Sequence, residues 1–157
     1  MPDGSTDEPA VRLGLSVPVE GMAGLPAIAR RAESLGWTDA WSSESRGHDA
    51  FSPLVAVATV TERLRLGSAI VAAFLRPPGV TAMHAATLAN LAPGRFVLGL
   101  WASTQVVVEQ WHGVPFPEQP LRLLRERATQ IAALLGGERV AGLRLEQPAE
   151  VPVPIYL

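Results

Sequence analysis

Cysteine is absent from the 157 residues, which excludes disulfides and thiolate metal sites and leaves a reducing compartment unopposed. No sign of charge dominates either. Thirteen basic against fifteen acidic residues give a net charge of −2, too even for a nucleic-acid partner, which needs a concentrated basic face. Met1–Ala10 is polar and acidic, without the basic-then-apolar order of a signal peptide. Apolar runs are broken by Gly, Pro or Arg well short of a membrane span. The three histidines share no metal-ligand spacing, and no Ser-His-Asp constellation or P-loop is evident. These absences predict a cytoplasmic protein with no metal, no membrane and no nucleic-acid partner. What is present, 48% hydrophobic and 18% charged residues, suits one globular domain with a real core.

Beyond a polar tail expected to be disordered over residues 1–10, strand and helix patterns alternate. Leu13, Leu15 and Val17 recur with period two, a short strand. Leu25, Ile28, Ala29, Ala32 and Leu35 fall at helical spacing, with Pro26 near the start and Gly36 past the end. Thr38–Ser42 reads as a second strand, and Ser52-Pro53 as the N-cap and first-turn proline of a helix to about Thr61. A third strand spans Arg65–Ala73, followed by a helix over Val80–Leu91. A fourth strand spans Arg95–Trp101, followed by a short helix around Val106–Trp111. Leu121, Leu124, Ala128, Ile131 and Leu135 mark an amphipathic helix ended by Gly136-Gly137, and Pro154–Leu157 begins one more strand.

Four strand–helix alternations with short connections predict right-handed βαβ units and a parallel sheet. The first turn holds Pro18-Val19-Glu20-Gly21-Met22, not the Gly-rich turn of a dinucleotide-binding open sheet. The remaining architecture is a (β/α) barrel, which normally needs roughly 250 residues. The chain is therefore expected to supply the N-terminal half, over residues 11–157. Its last apolar strand, with nothing after it to cover or pair it, reads as cut mid-fold.

Ala32-Glu33-Ser34-Leu35-Gly36-Trp37, Ala40-Trp41-Ser42-Ser43-Glu44, Thr61–Gly67, Thr81-Ala82-Met83 and Ala86–Leu91 form an ordered series. It is densest at Pro93-Gly94-Arg95-Phe96-Val97-Leu98-Gly99-Leu100 and Val108–Gly113. Through this series the sequence resembles the luciferase-like monooxygenase superfamily, in its branch of coenzyme F420-dependent oxidoreductases; the FMN-dependent monooxygenases are a less close likeness. The resemblance implies a (β/α)8 barrel of TIM type, with the deazaflavin ring at its C-terminal mouth and hydride transfer at the ring's C5. It also implies that strands five to eight, whose loops hold much of the cofactor's phosphate tail, have no counterpart here.

Barrel chemistry sits on loops leaving the strand C-termini. After the second strand, Glu44 stands where the resemblance implies an acidic residue near the cofactor ring; the alternative is a solvated loop carboxylate. His48 has the chemistry of a proton shuttle or is a loop histidine before a helix cap. Asp49 reads as a turn or capping group, and Arg46 could meet an anionic substrate or stay a surface arginine. Ala72 and Ala73 occupy the stretch where the family carries a bulge behind the ring, and two alanines equally describe tight packing. Ser103, past the fourth strand, joins the cofactor-binding candidates. His84 lies within a helix, and His112 is expected to tether a loop. On the fourth strand, Phe96, Leu98 and Leu100 form the face for the helices, so Val97, Gly99 and Trp101 face the barrel interior. Trp101 therefore stands at the floor of the cofactor site, where the family pattern is Gly-Leu-Gly; Gln105 stands where relatives often have proline. The leading expectation is an F420-dependent oxidoreductase half-barrel, little active alone, acting on a small-molecule substrate. It would work as a homo-oligomer or with a complementing second half. The rivals are an FMN-dependent monooxygenase and a non-catalytic half-barrel module for binding or assembly.

Overall fold

Alternation of small and apolar residues sets the first strand, β1, at Gly14–Ser16 in a computed structural model that describes residues 12–18 and 21–157. The tail expected over residues 1–10 lies outside the described residues. A single 3-10 turn at Met22–Gly24 leads into helix α1, Leu25–Ser34, with Pro26 in its first turn. There the missing N–H removes no helical bond. Gly36, at φ +85°, turns the chain out of the helix in the left-handed region that suits glycine. Strand β2 is Asp39–Ser42 and helix α2 is Ser52–Ala58. The capping differs from expectation. Ser52 is the first helical residue, and the Asp49 carboxylate does the capping by accepting the amides of Phe51 (2.7 Å) and Ser52 (2.9 Å).

The expected third strand is two pieces, β3 at Arg65–Ser68 and β4 at Val71–Ala72, lying end to end along the same neighbour. Between them the Ala69–Ile70 peptide is cis. Here a side chain takes over from the backbone ladder: the Ser68 hydroxyl donates to the Gly99 carbonyl (3.0 Å) and accepts from the Gly99 amide (2.9 Å). Helix α3 spans Pro78–Leu91, β5 Phe96–Trp101, a π-helical turn Val106–Trp111, α4 Pro120–Leu135, and β6 Ile155–Tyr156. Asn90 of α3 fixes the approach to β6: its side chain donates to the Pro148 carbonyl and accepts from the Glu150 amide. No helix among the described residues is long and apolar enough to cross a membrane.

Every strand pair is parallel, in the order β1-β2-β3-β5, with β4 continuing β3 along β5 and β6 on the far side of β5. Helices α1 to α4 pack one against the next on a single side of this sheet. Their Leu25, Leu54, Val57, Leu88, Ile131 and Leu134 share one core with Ala40, Leu66, Phe96, Leu98 and Leu100 of the strands. Sequential parallel strands with helices on one side form an arc of a (β/α) barrel; an open doubly wound sheet carries helices on both sides.

The opposite side of the arc is polar at the N-terminal strand ends. Asp39, 3% exposed, accepts from Arg12 (3.2 and 2.9 Å), Arg65 (2.5 Å) and the Thr38 hydroxyl (2.6 Å). The Arg65 guanidinium in turn lies 5.4 Å from the centre of the Trp41 ring. Burial alone would push the Asp39 carboxyl up. The hydrogen bonds from Thr38 and Arg65, with the charges of Arg65 and Arg12, outweigh it and hold the group below its ordinary range. A carboxyl lowered on folding stabilises the fold above its unfolded pKa, about 3.9, and that contribution is lost as pH falls through the still lower folded value. Asp39→Asn is therefore expected to destabilise the protein by about 2 kcal/mol at pH 7, the scale of a charged hydrogen-bond set with partly solvated partners. Its difference from wild type should shrink below about pH 4. Urea unfolding at pH 7 and pH 3 checks this; a difference independent of pH would contradict it.

Candidate active site

Three chain segments meet at the C-terminal ends of β2, β4 and β5. The β2 end is tied to the break in the third strand: the Ala69 amide donates to the Ser42 carbonyl (2.7 Å), and the Glu44 amide to the Ile70 carbonyl (3.2 Å). These bonds bring the Ser43–Asp49 loop beside the segment after β4, and a cleft of about 390 Å³ opens between them. Its lining is Glu44, Ser45, Arg46, Gly47, His48, Asp49, Leu75, Arg76 and His112. The volume lies in the range of small-molecule sites, roughly 300–1,000 Å³.

Glu44 is not a solvated loop carboxylate. Its side chain is 7% exposed and pairs with Arg76, itself 20% exposed. Both carboxylate oxygens accept, one from each terminal nitrogen of the guanidinium, Nη1 at 2.6 Å from Oε2 and Nη2 to Oε1. This two-pronged geometry is the strongest form of such a pair. The hydrogen bond to Glu44 raises Arg76 above the ordinary guanidinium range against the opposing effect of burial, with the charges of Glu44 and Asp49 adding to it. Arg76 also lies 5.8 Å from the centre of the Phe51 ring. Arg127 of α4 holds the same segment from behind by donating to the carbonyls of Ala73 (2.9 Å) and Arg76 (2.7 Å). Neither arginine was singled out in the sequence. Each stands more than thirty residues from the group it meets, so no local pattern reveals the pairing.

Asp49, His48 and His112 are occupied by structure, whereas Arg46, among the described residues, makes only a ring contact, with Trp111. Burial would raise the Asp49 carboxyl, but its bonds to Ser52 and Phe51 and the charge of Arg76 bring it below the ordinary range. This is the capping role expected of it. The His48 ring nitrogens lie 3.1 Å from the Asp49 carbonyl and 3.0 Å from the Pro18 carbonyl, linking the β1 and β2 loops. His112 lies 3.1 Å from the Ser45 carbonyl and so tethers the loop as expected. His84 is exposed on α3, 5.1 Å from the Phe51 ring.

Trp101 ends β5 on the side away from Leu98 and Leu100 and is 46% exposed, the placement its alternation implies. It stands one strand over from the cleft lining, with its carbonyl accepting from the Ala73 amide (2.9 Å). Ala72 and Ala73 are buried at the end of β4; the break in the strand falls ahead of them, at Ala69–Ile70. Ser103, at φ +62°, turns the chain away from β5. Of the residues the sequence singles out, Glu44, His48 and Asp49 share one cleft, and Trp101, Ala72, Ala73 and Ser103 lie along the neighbouring strand ends.

The sequence profile of the luciferase-like monooxygenase family matches residues 4–156. The chain is 38% identical over 125 residues to a Mycobacterium tuberculosis protein named as a coenzyme F420-dependent oxidoreductase, covering 76% of this chain and 35% of that one. It is 34% identical over 170 residues to the F420-dependent glucose-6-phosphate dehydrogenase of Beutenbergia cavernae, covering 94% of this chain and 50% of that one. Among solved structures it resembles an F420-dependent secondary alcohol dehydrogenase in complex with an F420-acetone adduct. There the TM-score is 0.77 at 18% identity, over 92% of this chain and 51% of that one. The chain thus spans half or less of the length of these two sequence relatives.

Proposed function

Since the chain belongs to the luciferase-like monooxygenase family, we propose that it forms the ring-binding half of an oxidoreductase that works with coenzyme F420. The observation that carries this reading is the cleft at the C-terminal strand ends, walled by the Glu44–Arg76 pair. Its lining suits a flat heteroaromatic ring: Leu75 offers an apolar wall, and Glu44 a fixed acceptor edge. When bound, the deazaflavin supplies hydride donation or acceptance at C5. Glu44, clamped by Arg76, acts as an acceptor toward a ring N–H and orients the ring. His48 moves a proton only by releasing the Pro18 or Asp49 carbonyl, so its first role is to hold the two loops together. Ala72, Ala73 and Ser103 shape the backbone beside the ring, and Trp101 narrows the space above β5. The phosphate tail is held by the part of the barrel that the relatives carry and this chain does not span. The working form in this reading is a homo-oligomer or an assembly with a complementing second half-barrel, in a cytoplasmic setting.

The test is a titration of oxidised F420 and, separately, FMN into wild-type and Trp101→Gly protein, followed by cofactor fluorescence. F420 is expected to bind weakly to the wild type and about tenfold more tightly to the variant, as relief of roughly 1.4 kcal/mol of crowding implies. Preference for FMN in both proteins would replace the deazaflavin reading with the monooxygenase one. No binding of either cofactor would leave a non-catalytic module.

A further inference from the structure

A count of spent and unspent groups in the cleft points to its ligand. Both carboxylates already accept bonds within the protein: Glu44 from the Arg76 guanidinium, with a lone pair on each oxygen left for a ring N–H, and Asp49 from the amides of Phe51 and Ser52. His48 faces two carbonyls and His112 a third. Arg46 is different. Its guanidinium carbon lies 5.6 Å from the centre of the Trp111 ring, and among the described residues its side chain has no hydrogen-bond acceptor and no carboxylate partner. A ring face attracts a guanidinium through its quadrupole without consuming the N–H donors along the guanidinium edge. Trp111 therefore steadies Arg46 on the cleft wall and, among the described residues, leaves its fork of donors unspent, next to carboxylates already engaged by Arg76 and by backbone amides.

We infer that Arg46 is a substrate-binding residue, and that the cleft takes a small molecule bearing a carboxylate or phosphate-monoester group, held by its guanidinium fork. Either group presents two oxygens that accept two parallel N–H bonds from arginine, a geometry lysine cannot match. The inference rests on the oxidoreductase reading only in calling this anion a substrate; the site itself is tested without cofactor.

The experiment records the Nε–Hε resonances of 15N-labelled protein while inorganic phosphate or succinate is added at constant ionic strength. The Arg46 signal is expected to move saturably with at least one of them, and the tighter of the two identifies the anionic group. Arg46→Gln should weaken that binding at least about tenfold, the loss of roughly 1.4 kcal/mol or more expected for a charge-assisted pair. Arg125→Gln, on the exposed side of α4, should leave it unchanged. Binding should persist when F420 is present. Absence of a saturable shift with both anions, or equal binding by Arg46→Gln and wild type, overturns the inference. Displacement of the anion by F420 also overturns it, by returning Arg46 to the cofactor. Saturable anion binding in a protein that binds no F420 would sink the oxidoreductase reading and leave the anion site in place.

Discussion

Gly99→Ala is expected to destabilise the protein by about 3 kcal/mol, the upper end of what overpacking a core position costs. A Cβ on Gly99 would stand 2.2 Å from the Ser68 carbonyl oxygen and 3.3 Å from its carbon. The obstacle is backbone, so no rotamer change relieves it. Moving Ser68 aside breaks the two bonds its hydroxyl makes with Gly99 and leaves buried polar groups unpaired. It also shifts the Ala69–Ile70 link, on which the Glu44 amide depends, so the loss should reach the cleft. Urea unfolding with tryptophan emission measures the effect. A loss below about 0.5 kcal/mol, the scale of an ordinary surface change, would show that β5 does not approach the strand break as closely as the structure places it.

The second large effect lies in the cleft and is asymmetric. Arg76→Met is expected to cost about 3 kcal/mol, because it strands a nearly buried carboxylate without its cation. Glu44→Gln should cost only about 1 kcal/mol. Arg76 retains a path to water at 20% exposure, its stacking on Phe51, and a neutral acceptor in the glutamine. The double variant should therefore be more stable than the sum of the single losses implies, by about 2 kcal/mol of coupling. Unfolding of the four proteins in one denaturant series gives that coupling directly. Equal single losses that simply add would mean that the two groups are solvated separately and that the pair does not shape the site.

The parallel order of the strands was legible because helices alternate with strands along the chain, and the side of β5 that Trp101 takes, opposite Leu98 and Leu100, because period two sends alternate side chains to opposite faces whatever the rest of the chain does. The Asp49 cap was legible because its partners lie within three residues. The division of the third strand was not. Ser68-Ala69-Ile70-Val71 carries no glycine, proline or charge to announce a break, and the hydroxyl that replaces the ladder bonds works only once Gly99, 31 residues away, lies alongside. The Glu44–Arg76 pair escaped for the same reason: adjacent strand ends bring together groups that sequence distance separates. Helix α2 ended at Ala58, short of the expected Thr61. There Arg95 reaches the Ala58 and Leu64 carbonyls and the Thr61 hydroxyl, a long-range hold that local helix signals do not contain.

The strand order carries a consequence for how the molecule comes into being. With β3 and β4 taken as one interrupted strand, each strand lies beside the one made just before it, so a chain growing from the N-terminus has a finished edge waiting for the next unit, and no later segment must be threaded between earlier ones. Each α-helix settles on the helix that preceded it. Such a sheet lends itself to assembly in the sequence of its synthesis, one strand–helix unit at a time. The connections from α1 to β2, from α2 to β3 and from α3 to β5 are short, which keeps the entropy of those closures small.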